Sequence, residues 1–170
     1  MAIKANFRMD DVRGRFVAFL EEVEREGITR LQKLGEKCVS HARNIVPPDA
    51  GEGFNDQTGN LRSSIGYVVF NNGVAVHAFF EQVKNGAEGA KKGEELAQKV
   101  GKGTKGICLV VTAGMDYAVY VEGGYSYKTK TGKTVNVPAR DVITSAQKMA
   151  ERELPEELEK LVTNIRRAAE

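Results

Sequence analysis

The sequence has few of the residues on which cofactor chemistry and secreted folds usually depend. Its 170 residues include no tryptophan, two histidines and two cysteines. Cys38 and Cys108 lie far apart in apolar surroundings, which favours reduced, buried thiols over a disulfide. His41 and His77 have no second ligand residue at useful spacing, so a surface or core role is favoured over metal binding or acid–base chemistry. No metal site and no cofactor are predicted.

Long apolar runs, strong net charge and catalytic motifs are also absent. No run approaches the roughly 20 residues needed to span a bilayer, and the first 16 residues lack the apolar core of an export signal. The net charge of +2 is too small to indicate nucleic-acid binding by itself. Ser63 and Ser64 lack the glycine-flanked turn of a catalytic serine, and phosphate-binding loops are missing. We therefore expect a cytoplasmic, non-enzymatic protein without membrane contact.

The chain instead shows a long helical pattern near its N-terminus. Apolar residues at helical spacing extend over residues 10–46, as one helix or as two in succession with Gly27 at a bend or short turn. Pro47 and Pro48 end the pattern because neither can donate a helical hydrogen bond. A continuous helix would be roughly 55 Å long at about 1.5 Å per residue. A domain of this size does not need such a length, which indicates a partner surface.

A second helix is predicted at the C-terminal end of the sequence. It begins near Pro138 or Ala139, and Pro155 indicates a kink or a fresh start followed by a helical extension. The acidic pair Glu156 and Glu157 is interpreted as a solvated face or as N-terminal charge.

The residues between these helices predict an antiparallel sheet of about four to five strands, and hence an α+β fold for a single domain covering 1–170. A hairpin is expected around Asn72 and Gly73, since both tolerate positive φ, and a second hairpin around residues 130–133. The candidate strand segments are 65–70, 74–80, 107–112, 117–122, 125–128 and 134–137.

Residues 84–106 are rich in glycine and lysine and are predicted to form a mobile insertion between two strands, helical only over residues 94–100. We hypothesise that this insertion and the loop 47–57 become ordered on assembly. The turn before the first strand is expected to be capped by Thr58 or Asn60, although its amides could also bind an anion.

Three short blocks, in order, resemble a tail-component family of tailed bacteriophages, the gp-ten-like head–tail joining or tail-completion proteins of long-tailed phages. The blocks are Thr58 to Ile65 after a helix ending near Pro47, Tyr117 to Gly124, and Pro138 to Val142. The chain departs from the family pattern after Pro138, Ala139 and Arg140, where Asp141, Val142 and Ile143 replace the usual Pro-Phe-Leu.

The resemblance implies a virion structural protein that assembles as a ring with itself and with other phage neck and tail proteins. Such a protein is expected in the host cytoplasm during assembly and then in the virion tail or neck. Glu122 and Arg62 or Arg140 are motif residues of opposite charge that could pair beside the sheet edge, or could remain two solvated side chains. The motif residues carried over as candidates for assembly or structure are Thr58, Gly59, Leu61, Arg62, Ser64, Tyr117, Tyr120, Glu122, Gly123 and Arg140.

The lysines of two predicted loops leave a second function open. Lysines on loops can contact phosphates without reading sequence, or they can simply keep the loops soluble. They suit either non-specific contact with DNA in a channel or, as the alternative function, a small DNA-binding accessory protein. These residues are Lys91, Lys92, Lys99, Lys102, Lys105, Lys128, Lys130 and Lys133.

Overall fold

A computed structural model describes residues 8–45 and 58–168 of the chain. The fold is α+β with a long helix at each end, as predicted, whereas the loop 47–57 lies outside the described residues. The elements are α1 (Met9–Ile45), α2 (Asn60–Ser64), β1 (Ile65–Asn71), β2 (Val74–Phe79), α3 (Ala87–Gly101), β3 (Ile107–Ala113), α4 (Ala118–Gly123), β4 (Tyr125–Lys128), β5 (Thr134–Val137) and α5 (Val142–Ala168).

The sheets are smaller than predicted. Three antiparallel strands form one sheet in the order β2-β1-β3, and β4 pairs with β5 in a separate two-stranded sheet. Both predicted hairpins are confirmed, and Asn72 and Gly73 adopt the positive φ values of 50° and 77° that a tight turn requires. The segment 117–122 is not a strand, because Ala118–Gly123 forms α4.

The central strand β1 is buried on both faces. Tyr67 and Val69 belong to the larger core cluster with α1, whereas Val68 and Phe70 pack in a second cluster with Ala97 of α3. Alternate residues of a strand point to opposite faces, so the sheet is covered by α1 on one side and by α3 on the other. This explains why β1 is an almost continuous apolar run instead of an alternating one.

The N-terminal pattern is one helix, not two. α1 runs for 37 residues through Gly27, which is buried. A Cβ atom at Gly27 would lie 3.0 Å from Cδ1 of Ile107, and one at Gly35 would lie 2.6 Å from the ring of Tyr67. These glycines therefore allow close approach of the sheet to the helix, and the turn proposed at Gly27 is wrong.

The C-terminal helix α5 begins at Val142, later than predicted, and continues without a fresh start through Pro155. It runs antiparallel to α1. Side-chain contacts along the two helices include those of His41 with Ser145, Lys37 with Glu153, Arg30 with Glu157 and Glu26 with Asn164.

Glu157 is a buried member of this helix pair and is not a solvated residue. Its side chain is 7% exposed and contacts Arg30 at 3.4 Å, Lys37 at 3.7 Å and Lys160 at 3.2 Å. Burial alone would raise the pKa of this carboxyl, but the hydrogen bonds and charges of its three cationic partners lower the pKa below its usual value.

The glycine-rich segment contains a longer helix than predicted. α3 has 15 residues, from Ala87 to Gly101, so the prediction that only residues 94–100 are helical is wrong. Its small residues recur every three or four positions and lie against α2 and the sheet, with no room for a side chain at Gly89 or Gly93. Glycine lowers helix propensity by about 1 kcal/mol, and here it permits close packing. The predicted mobility of 84–106 stays a prediction.

Candidate functional site

The first motif block forms α2 and its junction with α3. Gly59 adopts a left-handed φ of 78° before the helix, and any Cβ there would overlap the carbonyl oxygen of Val83. The hydroxyl of Thr58 accepts a hydrogen bond from the backbone N–H of Asn60 at 3.3 Å. The side chain of Asn60 accepts one from the N–H of Gly89 at 3.2 Å, so it satisfies the first turn of α3 instead of its own helix.

The two serines of this block serve the structure. Ser63 and Ser64 are fully buried. The Ser63 hydroxyl accepts a hydrogen bond from the N–H of Val83 at 2.8 Å, and the Ser64 hydroxyl donates one to the carbonyl of Leu61 at 2.8 Å. Both hydroxyls therefore fix the chain around the start of β1.

The second and third blocks are joined directly. The N–H of Arg140 donates to the carbonyl of Val121 at 3.0 Å. The Glu122 carboxylate accepts hydrogen bonds from the backbone N–H groups of Ile143 at 2.8 Å and Thr144 at 2.7 Å. Glu122 thus caps the N-terminus of α5, where exposed amides and the helix dipole favour a negative charge. Its described partners are these amides, and the predicted pair with Arg62 or Arg140 is not among them.

The environment of Glu122 favours its charged form. Burial raises the pKa of the carboxyl, but the hydrogen bonds from Thr144, Ile143 and Val142 outweigh burial and lower it below its usual value. The other predicted arginine partner, Arg62, donates to the carbonyl of Arg43 at 3.0 Å.

All three blocks meet around one cavity of about 330 Å³. Leu61 comes from the first block and Val121 from the second, and both are buried. Val142 closes the third block and begins α5. Residues that are 81 positions apart in the sequence therefore form one junction between α2, α4 and α5. Its lining residues are Leu61, Ala113, Ala118, Val119, Val121, Glu122, Gly123, Val142 and Ile143.

An exposed aromatic surface borders this junction. Tyr120 is 59% exposed, and its ring centroid lies 6.0 Å from that of Tyr125, which in turn lies 6.1 Å from Tyr127. Val119 beside them is also exposed. We call these four residues the tyrosine patch. Of the other candidates, Tyr117 and Arg140 are half-buried, and Gly123 is exposed.

Sequence reasoning missed the role of Arg43, a buried guanidinium at the end of α1. It donates to the Glu81 carboxylate at 2.7 Å and to the Ile65 carbonyl at 3.0 Å, and it lies 5.9 Å from the Phe79 ring centroid. Burial lowers the pKa of Arg43, and the bond to Glu81 opposes that shift. The available indication was its place four residues after Val39, on a helix face that is otherwise apolar.

Groups with catalytic potential have structural partners here. His41 Nε2 and Ser145 Oγ lie 2.7 Å apart and connect α1 with α5. Burial raises the pKa of Cys38 to about 11, which disfavours the reactive thiolate. Over residues 8–45 and 58–168, no group of His, Cys, Asp and Glu could hold a metal ion.

None of the helices in the described part of the chain is long and apolar enough to cross a membrane.

Comparisons with protein families, curated proteins and solved structures found no match.

Proposed function

We propose that the chain is a non-enzymatic structural subunit of a tailed phage or prophage. It is a minor tail component that acts in head–tail joining or tail completion by ring-type self-assembly. The tyrosine patch is the observation that carries this proposal, together with the three blocks that resemble the tail-component family. Tyrosine offers a large apolar area with a polar tip and is enriched at protein–protein interfaces. Three exposed tyrosines in contact support binding of another protein chain.

A ring also needs a second surface, because head-to-tail contacts join two different surfaces of each subunit. The edge strand β2 is suited to this role. It lies at one end of the sheet order, and Val74 and Val76 are exposed. An edge strand presents unpaired N–H and C=O groups that can pair with an extended segment of another chain.

The lysines support contact with DNA that passes through such a ring. They support the alternative function, a small DNA-binding accessory protein, less well. Lys91 lies 3.8 Å from Glu95, and Lys92 lies 3.1 Å from Glu88, so these acidic neighbours reduce the charge offered to phosphates. The exposed lysines of the β4–β5 hairpin and its turn, Lys128, Lys130 and Lys133, remain suitable for non-specific phosphate contact.

The proposal is tested by the mass of the full chain in solution as a function of concentration. We expect a defined oligomer larger than a dimer, and we expect the double variant Tyr120→Ser/Tyr125→Ser to reduce it to smaller species. Val100→Ser is the matched control, since Val100 is an exposed apolar residue on α3. An assembly no larger than a dimer at every concentration would contradict the proposal. Salt-dependent retention of the monomer on DNA would favour the accessory-protein alternative.

A further inference from the structure

The first part of α1 extends beyond the helix that packs against it. α5 runs antiparallel to α1, and Asn164 contacts Glu26 at 3.1 Å. The last described residue of α5, Ala168, lies one turn further and is therefore level with about residue 22 of α1. Residues 9–21, which we call the overhang, project past this point and are all exposed.

The overhang carries an apolar stripe on the face that packs inside the domain further along α1. Gly27, Leu34 and Cys38 are buried on this face, and the helical repeat of 3.6 residues extends it to the stripe. Phe16 is 61% exposed there. Within the overhang the stripe consists of Val12, Phe16, Phe19 and Leu20, and the half-buried Val23 continues it along α1. Apolar residues at a spacing of three and four form the contact seam of paired helices.

The charges beside the stripe indicate what covers it. Arg15 and Glu22 are seven residues apart and lie on one flank, whereas Arg13 and Glu24 are eleven apart and lie on the other. The basic residue comes first on each flank. A parallel copy of the helix would place like charges opposite each other, and an antiparallel copy would place each arginine opposite a glutamate.

We propose that the overhangs of two copies of this chain pair as antiparallel helices through the apolar stripe. The pair is centred between Val17 and Ala18, so that Phe16 packs on Phe19 of the second copy and Val12 on its Val23. Arg15 then faces Glu22 of the second copy, and the two-fold symmetry repeats each contact.

The glutamates are available for this exchange. Glu22 contacts Arg25 of its own helix at 2.6 Å, and the side chain of Arg25 is 72% exposed. Such surface pairs contribute about 0–1 kcal/mol, so Glu22 can turn to a new partner. Glu24 accepts a hydrogen bond from the Asn71 side chain, and for this reason Arg15 and Glu22 are the decisive pair.

This contact does not rest on the proposed function. A two-fold contact closes on itself and yields a dimer, whereas a ring requires a head-to-tail contact. The dimer and the ring can therefore be tested separately, and neither result decides the other.

Charge exchange between Arg15 and Glu22 tests the arrangement. The dimer dissociation constant is measured by sedimentation equilibrium in the Tyr120→Ser/Tyr125→Ser background, which removes the proposed ring contact, for the chain without further change and with Arg15→Glu, Glu22→Arg or both. We expect each single variant to weaken the dimer roughly tenfold, because like charges then meet at two symmetric places. The double variant should recover most of the affinity, because opposite charges face each other again.

A parallel pair gives a different result. In a parallel two-fold pair opposite flanks meet, so Arg15 faces Arg13 and Glu22 faces Glu24 of the second copy, and reversal of either charge would relieve repulsion and strengthen the dimer. Single variants that dimerise as well as the chain without further change, or better, would overturn the antiparallel arrangement, and so would a double variant that stays as weak as the single variants.

The apolar contact is tested by Phe16→Ser, with Val100→Ser on α3 as the control for an equally exposed apolar residue. We expect Phe16→Ser to abolish the dimer and Val100→Ser to leave it unchanged, while both variants melt as cooperatively as the unaltered chain. A chain that is monomeric at about 100 µM, or a dimer that tolerates Phe16→Ser, would overturn the proposal.

Discussion

The carboxylate of Glu122 accepts a hydrogen bond from the backbone N–H of Thr144 at 2.7 Å, across the boundary between α4 and α5. Its second oxygen accepts one from Ile143 at 2.8 Å. A residue of the second motif block therefore holds the first turn of the helix that begins at the end of the third block. The opposite charges of the motif residues suggested a pair between Glu122 and an arginine, and the structure gives Glu122 the role of a helix cap.

Loss of this cap should destabilise the fold. We expect Glu122→Ala to lower the free energy of unfolding by about 1–2 kcal/mol, because two amides of α5 lose their acceptor. Glu122→Gln should cost less, because its amide oxygen can still accept one hydrogen bond. Chemical denaturation measures both changes, and Glu94→Ala at an exposed position of α3 is the control. Equal stability of Glu122→Ala and the control would contradict the capping role.

Acid should weaken the contact between α1 and α5 through Glu157. The pKa of this carboxyl is lower in the folded state than in the unfolded state. Its stabilising contribution is therefore complete above the ordinary glutamate value of about 4.3 and is lost as the pH falls through the folded pKa. We expect Glu157→Gln to be less stable than the unaltered chain at pH 7. The difference in the free energy of unfolding should shrink between pH 5 and pH 3, and a constant difference over that range would refute this explanation.

Two glycine-to-alanine substitutions in helices should have opposite effects. A Cβ atom at Gly89 would overlap the Asn60 carbonyl oxygen, so Gly89→Ala should lower the free energy of unfolding by about 2 kcal/mol or more. Gly14 of the overhang has no atom within 4 Å of its Cβ position. Gly14→Ala should therefore raise helicity, in line with the preference of about 1 kcal/mol for alanine within helices. Circular dichroism and denaturation measure both, and a tolerated Gly89→Ala would disprove the close packing of α3.

Removal of the Tyr67 hydroxyl should not destabilise the protein. The side chain is fully buried, and burial raises its pKa to about 12. The hydroxyl has no hydrogen-bond partner within the described residues, and an unpaired buried polar group costs about 1–3 kcal/mol. We expect Tyr67→Phe to keep or increase the free energy of unfolding, by up to about 1 kcal/mol. The control is Tyr67→Leu, which should destabilise because Gly35 packs against the aromatic ring. A clear loss in Tyr67→Phe would mean that the hydroxyl has a partner.

Elements with a local pattern could be predicted from the amino-acid sequence alone. The long helix before Pro47, the hairpin at Asn72 and Gly73, and the later hairpin at residues 130–133 all follow from apolar spacing and turn chemistry. These features depend on neighbours within a few residues, which a single sequence displays directly. The α+β class follows from their order.

Other segments depend on long-range contacts, and their local pattern predicts the wrong structure. The glycine-rich segment that indicated a mobile insertion forms a 15-residue helix. Its glycines lie against α2 and β1, which leave no room for side chains at those positions. Residues 117–122, whose sequence predicted a strand, form a helix because their one buried residue, Val121, packs into the core beside Leu61. Contacts between residues distant in sequence outweigh local helix and strand propensities, which are about 1 kcal/mol per residue or less. The same physics buries Glu157 among three cations and leaves Phe16 exposed on a helix face that is buried further along α1.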